Sequence, residues 1–296
     1  MRSSVLCLVI LLIFCSCNRK KKIDNPESRT SGKTSLLVDE SFSRILSNQI
    51  RVFESDYPSA KISTVLGNEA KILPKFTSGE QRLIVLSRML KPEETRYYQQ
   101  NKIPVNIDRF AVDGIALITN SANVDTLITA QEVYDILRGK GNKKLVFDNA
   151  NSSTVRYFMD SAQVSTLPKS GVYTLNSNVD VIKYVAENKD YIGVLGINWL
   201  LGQDGDILTG VSDVKVMSVS NLEGEKGDGK YYQPTQNNLI NGNYPFLRNI
   251  YIINCEGKNG LGTGFANWLC GRRGQLIVLK SGLGPHKIEE RILNYK

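Results

Sequence analysis

Residues 108–140 read DRFAVDGIALITNSANVDTLITAQEVYDILRGK. Within them 110–119 is an apolar run rich in β-branched residues, bounded by Asp108-Arg109 and Asn120-Ser121, which predicts a buried strand. A helix is expected next. Thr129 stands at the N-cap, Glu132 completes a capping box, Val133, Ile136 and Leu137 share one face, and Gly139 ends it. Strand, polar turn and amphipathic helix in this order are the working unit of an α/β fold. Asp113-Gly114 leaves a second reading open, a hairpin turn that would split the strand.

Upstream, the same alternation repeats. Residues 36–39 predict a short strand, and Ser41 opens a helix with Phe42, Leu46, Ile50 and Phe53 on its apolar face. A strand at 61–66 follows, then Gly67-Asn68 and a short helix broken by Pro74; a third strand at 82–86 leads through Ser87-Arg88 to a polar helix over 91–100. This βαβαβα order argues for a right-handed, mostly parallel sheet. Downstream, 179–187 predicts a helix and 191–195 a strand, while 222–235 is glycine-rich, charged and poor in apolar residues, a surface loop.

The start of the chain carries its own signal. Met1-Arg2 is positive, 5–14 is unbroken apolar sequence, and Cys15-Ser16-Cys17 closes it, the layout of a secretory signal over residues 1–17. The run falls short of the ~20 residues a membrane-crossing helix needs. It resembles a bacterial lipoprotein signal in ending at a cysteine after small Ser16, which makes Cys17 the expected lipid-bearing residue; Phe14 departs from that pattern, and a soluble secreted product is the alternative. Residues 18–33, polar and interrupted by Pro26 and Gly32, are expected to form a flexible tether. Its Arg19-Lys20-Lys21-Lys22 run reads as a solvated feature more readily than as a contact with anionic headgroups.

Composition narrows the function classes. The chain has 37 Lys plus Arg against 29 Asp plus Glu, a net charge of +8. A surplus spread this thinly suits an anionic small ligand, and no clustered basic face interleaved with aromatics points to nucleic acid. Of five cysteines, Cys255 and Cys270 lie outside the signal region; a disulfide and two buried thiols both remain open. No cysteine or histidine cluster suggests a metal, and no cofactor is expected. The single histidine, His286, lacks the nucleophile and acid of a hydrolytic triad, so the expectation is a binding protein and not an enzyme. Gly260-Leu261-Gly262-Thr263-Gly264 has the look of a dinucleotide loop but stands far from a first strand-to-helix turn, and it reads as a loop leading into a helix.

The chemistry follows from the helix starts. A helix N-terminus presents unpaired N–H groups and the positive end of the dipole, so it holds an oxyanion without a cationic side chain. Ser41-Phe42, Gly67-Asn68 and Ser152-Ser153-Thr154 each fall at a predicted strand-to-helix turn, with Ser87 at a fourth strand end. Each hydroxyl has a plain alternative as a cap. Together they point to a shared anion site outside the carboxyl ends of the strands.

These motifs resemble the phosphate-binding proteins that serve high-affinity ABC transporters, a family with the two-lobed periplasmic-binding-protein fold of type II. The wording AVDGIALITN…LITAQEVYDILRGK is similar to the middle of that family, and the resemblance extends over about residues 36–285. Ser41-Phe42 matches the Thr/Ser-Phe pair that the family places at its first helix, and Leu86-Ser87-Arg88 matches its third element. Asn151-Ser152-Ser153-Thr154, leading into Val155-Arg156, matches its Arg-x-x-x-Ser-Gly-Thr loop. Two departures stand out: Gly67-Asn68-Glu69 lacks the family's Gly/Ser-rich wording, and Asp148 occupies the place of the loop arginine. A dianion there would need Arg88 or Arg156 for its charge, while Asp148 or Glu69 would accept a proton the anion keeps, unless Asp148 merely caps the loop.

The resemblance implies an α/β protein of two lobes, residues 34–114 with 241–296 and residues 115–240, its sheets mostly parallel with one antiparallel crossing strand. It implies capture of phosphate or a similar oxyanion between the lobes by Ser41, Phe42, Asn68, Ser87, Arg88, Ser152, Ser153, Thr154 and Arg156. It further implies a lipid-anchored monomer facing the periplasm and docking on an inner-membrane ABC permease. The alternative is a degenerate lipoprotein on the same fold that acts as a sensor or interaction module.

Overall fold

The computed structural model describes residues 27–202 and 213–287. The expected signal, Cys17 and the tether up to residue 26 lie outside the described residues. Strands β1 (Gly32–Asp39), β2 (Ala60–Gly67) and β3 (Leu83–Leu86) alternate with helices α1 (Ser43–Asp56) and α2 (Glu69–Thr77), and α3 (Arg96–Gln100) follows. The long strand β4 (Asn106–Asn120) comes next. Beyond it lie β5 (Leu127–Thr129), α4 (Ala130–Leu137), β6 (Lys144–Phe147), α5 (Ser153–Ala162), β7 (Val172–Thr174), α6 (Asn178–Glu187) and β8 (Tyr191–Gly196). The chain closes with β9 (Val214–Val216), β10 (Ser218–Ser220), α7 (Gln236–Asn241), β11 (Leu247–Asn254), α8 (Leu261–Cys270), α9 (Arg272–Lys280) and β12 (Gly284–Pro285).

One sheet runs in the order β2-β1-β3-β11-β4-β8-β6-β7, with β9 and β12 also paired to β4. β1 is parallel to β2 and β3, and β6 is parallel to β7 and β8, so each wing is the parallel α/β arrangement expected from strand-helix alternation. The strands between the wings are antiparallel. β11 opposes β3, and β4 opposes both β11 and β8. β4 joins the wings by pairing β11 through Asn106–Gly114 and β8 through Ile115–Ile118. The hairpin reading of Asp113-Gly114 therefore fails: the strand runs straight through, and Asp113 lies opposite Arg248 in register. A charge inside a buried strand is tolerated here because its neighbour on the next strand neutralises it.

Several local expectations change. β1 starts at Gly32, opposite Ala60, and the segment before it packs on the body: Arg29 donates to Asn259 at 2.7 Å and Lys258 pairs with Glu27. These contacts hold a stretch too polar to order itself, and through them residues 27–33 pack on the body. Gly264 belongs to this contact, since a Cβ there would lie 1.8 Å from the Arg29 carbonyl oxygen. The glycines at 262 and 264 are thus inside α8 and serve close packing, and neither heads a nucleotide loop. Pro74 does not break its helix; α2 runs on to Thr77 because Ile72 and Phe76 are buried on one face and offset the lost hydrogen bond. The helix expected over 91–100 is a 3₁₀ turn, Pro92–Thr95, followed by the single short turn of α3. Cys255 and Cys270 are both free thiols.

Candidate functional site

The carboxyl ends of β1, β6 and β8 meet against β4 and β11. β1 ends in Asp39, whose Oδ1 accepts the Ser41 backbone N–H at 2.9 Å and caps the 3₁₀ turn Glu40–Phe42 that feeds α1. Asp39, not Ser41, is therefore the cap of this helix start. The Ser41 hydroxyl is left to face the Ser153 hydroxyl at 3.4 Å. Opposite, Ser152 caps α5 by accepting the Val155 N–H at 3.2 Å, and its own hydroxyl donates to Asp148 Oδ1 at 2.6 Å. Ser153 and Thr154 are fully buried on the first turn of α5, where the helix leaves N–H groups without helical partners.

The cation at this turn is Arg248, delivered from β11. Its Nε donates to Asp113 Oδ2 at 2.9 Å, and its Nη1 donates to Thr154 Oγ1 at 3.1 Å and to Ser153 Oγ at 3.3 Å. The guanidinium lies over the Phe42 ring, 4.7 Å from its centroid. Gly196 makes the space: a Cβ there would sit 2.7 Å from Arg248 Nη2. Sequence reading did not find Arg248 or Asp113. A signal was present, because Asp113 interrupts the apolar run 110–119 and Arg248 is the single charge of β11, and such a charge demands a partner.

The remaining expected residues form a neighbouring cluster around Glu69. Glu69 accepts Arg88 Nε at 2.6 Å and Arg156 Nε at 3.0 Å. Arg88 also makes a bidentate pair with Glu94, at 2.7 and 2.8 Å. Arg156 donates to Asp160 at 3.0 Å and to the Ser87 hydroxyl at 3.1 Å. Both guanidinium groups expected at the anion are thus engaged with carboxylates. Asn68 caps α2, accepting the Lys71 N–H at 3.0 Å, and its amide reaches Asn149 Oδ1 at 3.5 Å. The structure therefore brings Ser41, Phe42, Ser152, Ser153 and Thr154 together with Arg248, and gathers Ser87, Arg88 and Arg156 on Glu69 beside them.

Three buried carboxylates surround the one guanidinium. Burial pushes the Asp39 carboxyl up to about 6, with the Ser41 N–H and Arg248 pulling the other way. Burial also raises Asp113 against the pull of Arg248, and raises Asp148 against its hydrogen bond from Ser152. Asn178 donates to Asp148 Oδ2 at 3.3 Å, and Asn198 donates to the Ser41 carbonyl at 3.0 Å. At this site four buried acceptors have no hydrogen-bond partner among the described residues: Asp39 Oδ2, Asp113 Oδ1, Asn178 Oδ1 and Asn198 Oδ1. The walls thus offer an occupant hydroxyl and guanidinium donors together with acceptors in want of a proton. His286 lies elsewhere, accepting Arg109 Nε at 3.2 Å.

The PBP superfamily domain matches residues 24–273. The phosphate-binding protein PstS of Pseudomonas aeruginosa is 22% identical over 291 residues, covering 87% of this chain and 84% of that protein. Among solved structures, a candidate phosphate ABC transporter substrate-binding protein of Clostridium perfringens, solved with bound phosphate, superposes with a TM-score of 0.69 at 20% identity, over 86% of this chain and 100% of that one. An ABC-type phosphate transport receptor of Vibrio cholerae superposes with a TM-score of 0.65 at 18% identity, again over 86% and 100%. The fold is that of the periplasmic binding proteins, and these relatives are named for binding and transport rather than for catalysis.

Proposed function

We propose that this chain, which belongs to the PBP superfamily, captures phosphate or a closely related oxyanion as the solute-binding protein of an ABC transporter. The observation that carries the reading is the Arg248 guanidinium held against the Ser153 and Thr154 hydroxyls at the start of α5, with Ser41 and the Phe42 ring facing them. Guanidinium, hydroxyls and unpaired helix N–H groups are the donors that suit a tetrahedral oxyanion. In this reading Arg248 supplies the charge that Asp148 cannot.

The two proposed lobes are residues 34–114 with 241–296 and residues 115–240, and the site lies between them. Ser41 and Ser153 stand on opposite lobes with their hydroxyls 3.4 Å apart, so an anion gains access only as the lobes part, by hinge motion at the crossing strands. The proposed setting is a monomer at the cell envelope, anchored through lipid on Cys17, facing the periplasm and presenting its closed form to an inner-membrane permease. A second reading, a sensor or interaction module without phosphate transport, is favoured by the engagement of Arg88 and Arg156 with Glu69.

Calorimetric titration of the chain from residue 18 onward with phosphate, sulfate and organic anions tests the proposal. Phosphate-selective binding that is lost in Ser153→Ala/Thr154→Ala and in Arg248→Met supports it. A folded, ligand-free protein that gives no heat with any of these anions overturns it in favour of the second reading.

A further inference from the structure

We propose a second ligand site, for a small organic carboxylate, in the cleft on the reverse face of the crossing strands, with the carboxylate on Arg109 and its apolar body against α7. The proposal does not depend on phosphate capture, because the residues of the anion site take no part in it.

β4 and β11 have two faces. Asp113 and Arg248, opposite each other in register, turn to the anion site; one position along, Val112 stands opposite Asn249 and, with Leu247, turns to the other side of the sheet. The register then shifts between Ile250 and Tyr251: Ala111 pairs with Ile250, Arg109 pairs with Tyr251, and Phe110 is the extra residue of a bulge. In an unbroken strand Arg109 would point the way of Ala111 and Asp113. The bulge moves it to the face of Val112 and Asn249. Bulges recur where a sheet re-aims a side chain beside a functional site.

Arg109 there lines a cleft of about 460 Å³ bounded by α7 and β12, within the size range of small-molecule sites. Val112, Leu239, Ile240 and Leu247 give it apolar walls, on which Ile240 remains 38% exposed. The polar groups lie together. Arg109 Nη1 donates to Asn249 Oδ1 at 3.1 Å and its Nε to His286 Nδ1 at 3.2 Å. Both acceptors are neutral: burial and the charges of Arg109 and Lys287 hold the His286 pKa below its ordinary value, against a smaller opposing pull from Asp108. Among the described residues no carboxylate pairs with Arg109, and its Nη2 has no partner.

A guanidinium held by neutral acceptors at the end of an apolar cleft is matched by a planar carboxylate, which takes paired N–H donors from the fork. A ring or chain attached to that carboxylate covers Ile240 and its neighbours, surface that a bare inorganic ion would leave in water. The two features together select an organic acid over phosphate or sulfate.

The chain has one histidine, so the cleft carries its own reporter. Benzoate and octanoate are titrated into the protein while the imidazole C–H signals of His286 are followed by NMR. The expected result is a saturable shift, half-complete in the millimolar range, that uncharged benzamide does not produce. Arg109→Gln should weaken the benzoate response about tenfold or more, whereas Ser153→Ala/Thr154→Ala should leave it unchanged. If Arg109→Gln does not fold, Ile240→Trp, which fills the cleft from an exposed position, decides in its place by abolishing the response or failing to. The proposal is overturned by the absence of a saturable shift with either acid, by an equal shift with benzamide, or by a response undiminished in the cleft variant. Loss of the response in Ser153→Ala/Thr154→Ala also overturns it, since the carboxylate would then be acting from the interlobe site.

Discussion

Asp113 and Arg248 face each other across β4 and β11 with exposures of 0% and 3%, so neither charge has water to fall back on. Removing one partner strands the other. Arg248→Ala is expected to destabilise the fold by roughly 3–5 kcal/mol in urea unfolding, whereas the double change Asp113→Leu/Arg248→Met recovers much of that loss. The double variant still abolishes anion binding, which separates the structural role of the pair from its role toward ligand. A second residue-scale prediction concerns pH. The folded pKa of Asp39, about 6, stands above its ordinary 3.8, so its stabilising contribution is full below 3.8 and is lost as pH rises through about 6. Comparing wild type with Asp39→Asn, the wild type should gain on the order of 2 kcal/mol relative to the variant between about pH 7 and about pH 4.5. A difference that stays flat across that interval would show Asp39 to be unperturbed.

At the scale of elements, α4 is set by local chemistry. Thr129 accepts the Glu132 N–H at 3.1 Å, and Glu132 accepts the Thr129 N–H at 2.8 Å, the reciprocal capping box its sequence announces. Thr129→Ala is expected to cost about 1 kcal/mol in thermal or urea unfolding, with no change in anion affinity. The contact of α8 with the N-terminal segment has a different origin, the absence of a side chain at Gly264. Gly264→Ala puts a methyl group into the Arg29 carbonyl, and hydrogen exchange of residues 28–32 should accelerate while β3 and β11 stay protected. Retained protection in that segment would mean that the packing yields without releasing it.

Across the whole molecule, the proposed lobes are tied by polar contacts as well as by the sheet. Arg156 reaches Glu69 at 3.0 Å, Arg44 donates to the Trp199 carbonyl at 3.0 Å, and Asn198 donates to the Ser41 carbonyl at 3.0 Å. Glu69 is the hub, because it also holds Arg88. Glu69→Ala leaves two partly buried guanidinium groups short of a partner and is expected to lower stability by roughly 3 kcal/mol. It should also shift the solution ensemble toward an open form, read as a larger radius of gyration by small-angle scattering without added anion. Identical scattering curves for the two proteins would show that Glu69 does not restrain the lobes.

The sequence by itself determined the α/β class, the buried crossing strand with the capped helix after it, and the hydroxyl-bearing turns at 41, 87 and 152–154. These are properties of short windows, in which apolar period, caps and glycine positions act on near neighbours. Tertiary structure alone decided which cation stands at the Ser-Ser-Thr turn. Arg248 is 94 residues from Thr154 in the chain and reaches it because β11 pairs in register with β4. It also decided that Arg88 and Arg156 turn to Glu69, that Asp39 caps the first helix start in place of Ser41, and that the segment from residue 27 packs on the body. Each of these is a competition between partners far apart in sequence, settled by burial and by the geometry of the sheet, and a reading confined to local windows has no access to it.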